Sequence, residues 1–412
     1  MEAFVNAANA REIKDGRAPY RNFSFVWRWG DVAVWFRIAG ERIVEHAWDP
    51  GIDRTWEFSF SAPDEVWAKH FARERMSPYH HLFGMWARVP TFVMDGNREV
   101  VMRHAAFISV LMNLARQIWL GEPALEPVEA ARSYQKELIQ GSYRHVRVGD
   151  DICRIYAEQS GRGRPLLFLH TAGADSRQFY HLLNDDRLAA QWHMTAFDMP
   201  GHGKSFLPPG SDYRTYQLTM ARYVETILAF MTHTGLERPV VLGCSMAGAI
   251  CLELARSHPD KFAGVIACEA ADRVPGRLNE WLRHPRIDSA EFAPQWIDGL
   301  MAPSTPAQYR NEILWQYSQA GAGIFFGDVA FYSGEFRLKE SDVFRTELCP
   351  VYMLTGEFDY SCTPEMSRAT AAMIPGAKYS EMFGLGHFPM SEEPERFLGY
   401  LKPILDELKM RP

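Results

Sequence analysis

"VVLGCSMAGAICLELA", residues 240–255, passes from β-branched and small residues through a cramped turn into an apolar helical pattern. A strand and a helix joined this sharply lie so close that the positions two before and two after the apex must be small. Gly243 and Ala247 meet that demand if the apex is Ser245. Were the apex Cys244, the flanking residues would be Leu242 and Met246, both too large. The phase selects Ser245, held in a strained backbone conformation with its hydroxyl projecting above a sheet. Cys244 is then a packed neighbour. The pattern is Gly-x-Ser-x-Gly with Ala247 in the last place.

A serine hydroxyl needs a base, and the base needs an acid to orient it. Two stretches downstream of Ser245 supply them. "TGEFDYSCTPE" (355–365) and "FGLGHFPMSEEPERF" (383–397) each follow a strand pattern. In the order serine, acid, histidine, the positions fall to Asp359 and His387. Glu357 is the neighbouring carboxylate, but the loop pattern Gly-x-x-Asp favours Asp359. An acid one strand earlier would make Glu269 or Asp272 the candidate.

Around these segments, short apolar strands alternate with helical patterns: "RPLLFLHTAG" (164–173), "HMTAFDMPGHGKS" (193–205), "FAGVIACEAA" (262–271) and "CPVYMLTG" (349–356). Continuous apolar strands of this kind predict a parallel sheet covered on both faces, with working residues in loops at the strands' carboxyl ends. Residues 272–345 interrupt the alternation with aromatic-rich helical segments, which suits a cap over the site.

Residues 143–410 resemble the α/β-hydrolase superfamily, with "FLHTAGADSRQF", "FDMPGHGKS", "GCSMAG", "GEFD" and "GHFPMSEEPERF" in the family's order. The resemblance implies an α/β-hydrolase fold, a mostly parallel sheet with a helical cap, preceded here by a smaller α+β domain. It places the core at 143–271 and 346–412 and the cap at 272–345. It also implies an oxyanion hole built from the backbone N–H groups of Met246 and Ala172, with Thr171 where the family commonly has glycine. Asp175 and Arg177 lie just beyond and form either a structural ion pair or, with Thr171, substrate contacts. His202, in the "PGHG" loop, is expected to be structural.

A serine at the apex excludes the aspartate-attack reactions of this fold and leaves acyl chemistry on esters, lactones, thioesters or amides. The aromatic insertion predicts a bulky hydrophobic substrate. The reading is a serine hydrolase cleaving an ester or lactone. The alternative is a carbon–carbon bond hydrolase acting on a diketone or ring-cleavage product, and a non-catalytic ligand-binding protein stands third.

Residues 1–120 differ in texture. Eight of the twelve tryptophans fall there, so the interior should be unusually aromatic. "FSFVWRWGDVAVWFRIAG" (23–40) reads as a hairpin turning at Gly30–Asp31, "SAPDEVWAKHFAR" as a helix, and "VMRHAAFISVLMNLARQIW" as one long amphipathic helix. The order of strands and helices, with "SAPDEVW" and "MDGN", is similar to a sterol-carrier-protein-type lipid-binding domain, which implies an apolar tunnel. Residues 121–142 read as a linker helix.

A net charge of −7 argues against a nucleic-acid partner, and no run of 18 apolar residues suggests a membrane span. The amino-terminal residues lack the features of a secretory signal, so a cytoplasmic setting is expected. Six cysteines without a C-x-x-C pair read as buried thiols. Adjacent His80 and His81 are a weak signal for a ligand pair, and the reading calls for no metal and no cofactor. Oligomeric state stays open, a homodimer included.

Overall fold

A computed structural model describes residues 1–10, 21–121 and 136–411. The chain divides into two compact units: Met1–Pro127 with His284–Gly299, and Val128–Arg283 with Leu300–Pro412.

The first unit is built on a five-stranded mixed sheet. Its strands are β1 (Asn22–Trp29), β2 (Val32–Ala39), β3 (Arg42–Trp48), β4 (Phe58–Ala62) and β5 (Val93–Gly96), in the order β3-β2-β1-β4-β5. β1 and β2 form the expected hairpin, and Gly30 takes the left-handed conformation at the turn. β1 pairs in parallel with β4, so register sets Phe25 between Phe36 and Phe58. The three rings stack at 5.1 and 5.3 Å between centroids. Such cross-strand aromatic pairs are the main side-chain source of sheet stability.

The long helix expected after β5 is two helices, Arg98–Arg103 and Ala105–Leu120. His104 breaks it because its backbone leaves the helical region and its ring stacks on Phe23 at 5.0 Å. Gly121, at φ +62°, closes the second helix in a left-handed cap.

The stretch expected as a continuous cap is shared between the units. Its helix Ser289–Asp298, capped by the Asp288 carboxylate on the Ala290 N–H (3.0 Å), packs on Ala105–Leu120. Phe292 meets Phe83 edge-on at 6.1 Å, and Arg286 pairs with Glu99 at 2.5 Å. Phe292, Trp296 and Ile297 are buried there; this helix carries an apolar stripe that must be covered, and the first unit covers it. His80 and His81 belong to the same assembly: His80 Nε2 lies 2.7 Å from the Gly299 carbonyl, and burial drives the His80 pKa down to about 3.

Of the linker helix expected at 121–142, residues 122–135 lie outside the described residues. From Gln140 onward the chain is not helix but strand, because it pairs with the next strand in antiparallel register from Gln140 opposite Gln159.

The second unit holds an eight-stranded sheet: β6 (Gln140–Val148), β7 (Asp151–Ser160), β8 (Arg164–Leu169), β9 (Trp192–Phe197), β10 (Val240–Cys244), β11 (Gly264–Cys268), β12 (Val351–Gly356) and β13 (Lys378–Met382). The order is β13-β12-β11-β10-β8-β9-β7-β6. β8 to β13 run parallel to one another, while β6 pairs antiparallel with β7 and β7 with β9. Every residue of β10, β11 and β12 is buried, as continuous apolar runs require in a sheet covered on both faces. Among the described residues, no helix is long and apolar enough to cross a membrane.

Candidate active site

β10 ends at Cys244 and the helix Met246–Ser257 begins two residues later, with Ser245 alone at the apex. A side chain at Gly243 would meet the Ala247 carbonyl oxygen at 2.4 Å, and one at Gly248 would meet that of Cys268 at 2.2 Å. These close approaches are the physical content of the small-residue pattern. Ser245 sits at φ +58°, ψ −120°, a conformation costing a non-glycine residue about 1–3 kcal/mol. Two backbone bonds hold it: its N–H donates to Cys268 O (2.9 Å), and its carbonyl accepts from the Ala249 N–H (3.0 Å). Cys244 is buried below, its thiol donating to the His387 carbonyl (3.0 Å), and burial pushes that thiol well above its ordinary pKa.

The loops after β12 and β13 bring Asp359 to His387, Oδ2 to Nδ1, at 2.6 Å, both side chains buried. Asp359 Oδ1 accepts the N–H groups of Ser361 (2.6 Å) and Cys362 (3.2 Å). Burial pushes the Asp359 carboxyl up, but His387 and the hydrogen-bond donors outweigh it and hold the group below the usual range. Glu357 faces elsewhere, accepting the Gly384 N–H at 2.8 Å, and Asp272 is engaged with Thr370. With Nδ1 taken, Nε2 is the nitrogen left to act as a base. Among the described residues no hydrogen bond joins the Ser245 hydroxyl to His387; the Tyr332 phenol is a neighbour of the serine.

The histidine loop has an anchor that the sequence pattern did not single out. The buried Glu392 carboxylate accepts from Gly386 N (3.0 Å), Phe388 N (2.7 Å) and Ala302 N (2.9 Å), clamping the chain on both sides of His387. Tyr332, on a π-helical turn at Phe331–Glu335, was equally unmarked in sequence. Such turns recur at functional sites.

The loop after β8 presents its N–H groups in different directions. Thr171 N donates to Gln178 Oε1 (2.9 Å), Gly173 N to Asp328 Oδ2 (2.8 Å) and Ala174 N to the Thr171 carbonyl (3.2 Å). Among the described residues, the Ala172 N–H donates to no protein acceptor. Met246 opens its helix, so its N–H has no intrahelical acceptor either. Thr171 Oγ1 is committed to Tyr317 OH (2.6 Å) and Gln178 Nε2 (2.8 Å), and replaces a glycine's freedom with a tie to residue 317.

Asp328, on the helix Ala322–Ala330, gathers this loop into a buried network. Besides Gly173 N it meets His202 Nε2 (2.7 Å) and accepts from Tyr216 OH (3.1 Å). Burial opposes charge on His202, yet Asp328 more than compensates and lifts its pKa above the ordinary value. His202 is therefore spent on holding the loop. We expect Asp328→Asn, which removes the negative charge facing His202 and weakens the grip on Gly173 N, to lower turnover about tenfold with little change in KM. Steady-state kinetics of the variant would measure this.

Asp175 and Arg177 are locked together: Arg177 Nε meets Oδ1 (2.8 Å) and Nη2 meets Oδ2 (2.5 Å). Gln316 Nε2 also donates to Asp175 (2.8 Å), and the guanidinium lies 4.8 Å from the Trp315 ring centre. Both side chains are thus engaged with protein partners. One set of potential ligand atoms clusters among the described residues: Glu269, Asp359 and His387, within 4.8 Å of one another.

Residues 166–399 match the model of the alpha/beta hydrolase family, more than half of the chain. The chain is 24% identical over 290 residues to a proline iminopeptidase from Heyndrickxia coagulans, covering 61% of this chain and 93% of that one. It is 32% identical over 137 residues to the dihydrolipoyllysine-residue acetyltransferase component of an acetoin cleaving system from Cupriavidus necator, a match spanning about a third of each, 33% of this chain and 32% of the relative. Among solved structures, a thermophilic esterase from Thermogutta terrifontis superposes with a TM-score of 0.55 at 22% identity, covering 66% of this chain and 100% of the esterase. An enol-lactonase from Burkholderia xenovorans superposes with a TM-score of 0.55 at 17% identity, covering 64% and 100%. With its eight-stranded sheet and sharp serine turn, the chain belongs to the alpha/beta hydrolase family.

Proposed function

We propose that the protein is a serine hydrolase that cleaves an ester or lactone bond in a bulky hydrophobic substrate. Ser245 attacks the carbonyl carbon; His387 Nε2 takes the hydroxyl proton and returns it to the leaving oxygen; water, activated by the same imidazole, releases the acid from Ser245. Asp359 holds the imidazole tautomer and faces the imidazolium that forms. The N–H groups of Met246 and Ala172 receive the oxyanion. The observation that carries the reading is the strained Ser245 apex together with the 2.6 Å Asp359–His387 bond. Attack requires the Ser245 hydroxyl to face His387 Nε2, which rotation about its Cα–Cβ bond supplies. The esterase and lactonase names among the structural neighbours agree with acyl transfer, and the aromatic residues of 300–345 suit an apolar acyl group.

The test is a rapid-mixing assay with p-nitrophenyl butyrate, an apolar lactone and a β-diketone. A burst of p-nitrophenol close to one equivalent per Ser245, followed by slower turnover, is the expected result. Turnover of the diketone with no burst from any ester would replace the ester reading with carbon–carbon hydrolysis. No turnover of any of the three would sink both.

A further inference from the structure

We propose that Glu269 is a positioning residue for the Asp359–His387 pair: a neutral carboxylic acid, buried one strand away, that donates its proton in a hydrogen bond to the Asp359 carboxylate. The proposal rests on the serine-hydrolase reading for its kinetic arm and on the fold alone for its stability arm.

Glu269 follows the last residue of β11 and is fully buried at φ +51°, one of few non-glycine residues in the left-handed region among those described. A strained backbone at a strand's carboxyl end needs surroundings that over-determine it. Its N–H donates to Leu354 O (2.8 Å), its two carboxyl oxygens share the Gly356 N–H (3.0 and 3.1 Å), and Tyr332 OH reaches its carbonyl at 3.4 Å. The side chain is thereby aimed along the end of β12 toward the acid loop, where one of its carboxyl oxygens lies within 4.8 Å of one of Asp359's.

Two carboxyl groups this close cannot both be ionised in a buried site without a cation between them. The other titratable groups that face Glu269 are the thiols of Cys244 and Cys268, the phenol of Tyr379 and the Glu392 carboxyl, and His387 stands beyond Asp359. The first four bring no positive charge. One proton must therefore sit between Glu269 and Asp359. Asp359 already accepts from His387 and from two backbone N–H groups, whereas Glu269 accepts a single N–H. The carboxylate better supplied with donors keeps the charge, so the proton belongs to Glu269. Burial first, and then Asp359, push the Glu269 carboxyl well above its usual range, in the same direction. No proton transfer is involved: the O–H of Glu269 fixes the orientation of Asp359 while the charge stays opposite the imidazole.

The experiment compares Glu269→Gln, Glu269→Leu and Asp359→Asn with the wild-type chain. Glutamine keeps a donor for Asp359 and an acceptor for Gly356. We expect it to hold kcat/KM within about threefold and to leave the acid limb of the pH profile in place, whereas leucine lowers kcat about tenfold or more with KM little changed. The stability arm follows from linkage. A carboxyl kept protonated in the fold but ionised in the unfolded chain makes stability fall as pH rises above the unfolded pKa, about 4.3 for Glu. Glutamine lacks that loss, so the Tm of Glu269→Gln relative to wild type should climb between about pH 5 and about pH 8. A Tm gap that is flat or falls over this range, an acid limb displaced downward by about one unit or more in Glu269→Gln, or a fully active Glu269→Leu would each overturn the proposal. Loss of wild-type activity on dialysis against EDTA would overturn it too, by making the cluster a cation site. An inactive Glu269→Gln beside an active Asp359→Asn would instead transfer the acid role to Glu269. Absence of any esterase activity would sink the hydrolase reading while leaving the melting curves to decide this one.

Discussion

Ser245→Ala is expected to cut turnover of p-nitrophenyl butyrate by about 10⁴- to 10⁶-fold while the protein stays folded. The size follows from the role: without the hydroxyl no acyl-enzyme forms, and only the oxyanion donors and binding remain. Folding should survive because alanine has the smaller side chain and the two backbone bonds that hold the apex, to Cys268 and Ala249, do not involve the hydroxyl. Alanine still bears a Cβ at φ +58°, so no strain is relieved. Cys244→Ala is the contrast. Its thiol lies buried and points to the His387 carbonyl, so activity should stay within about threefold, whereas a cysteine nucleophile would lose about as much as Ser245→Ala. Kinetics and circular dichroism on the two variants decide between the neighbours. Full activity in Ser245→Ala would end the catalytic assignment.

Asp359→Asn should lower kcat by about 10⁴-fold, because the amide stabilises the wrong imidazole tautomer and cannot face an imidazolium. Glu357→Gln should remain near wild type, since among the described residues the Glu357 carboxylate meets only the Gly384 N–H. The same pair predicts a pH signature in stability. The folded-state pKa of Asp359 is depressed below 3.8, so its ionised form contributes stability that is fully present above the unfolded value and is lost as pH falls through the folded one. The Tm difference between wild type and Asp359→Asn should therefore be widest at neutral pH and close below about pH 3.9. A gap that persists unchanged at acid pH would mean that the stabilising contact is not ionic.

The sequence was most informative where contacts are local. The serine turn could be phased from five residues because Gly243 and Ala247 touch across it, and a side chain at Gly243 has nowhere to go. The β1–β2 hairpin was equally legible, since its two strands and the intervening Gly30–Asp31 turn are contiguous. Asp359 stood out from Glu357 through the loop pattern. By contrast, nothing local marked Glu392, whose carboxylate is spent on N–H groups at 302, 386 and 388. Asp328 looked like an ordinary helix residue, and its partners lie at 173, 202 and 216. The helix break at His104 depends on a ring stacked against Phe23, 81 positions earlier.

What the sequence determined by itself is the order of strands and helices, the identity of the apex residue and the list of groups able to serve it. These rest on periodicity and on steric limits within a few residues. Only the tertiary structure decided which carboxylate meets His387, that Glu269 comes within 4.8 Å of both, and that residues 284–299 complete the first unit. Burial and the direction of each hydrogen bond set those outcomes, and both are properties of chain segments brought together from far apart.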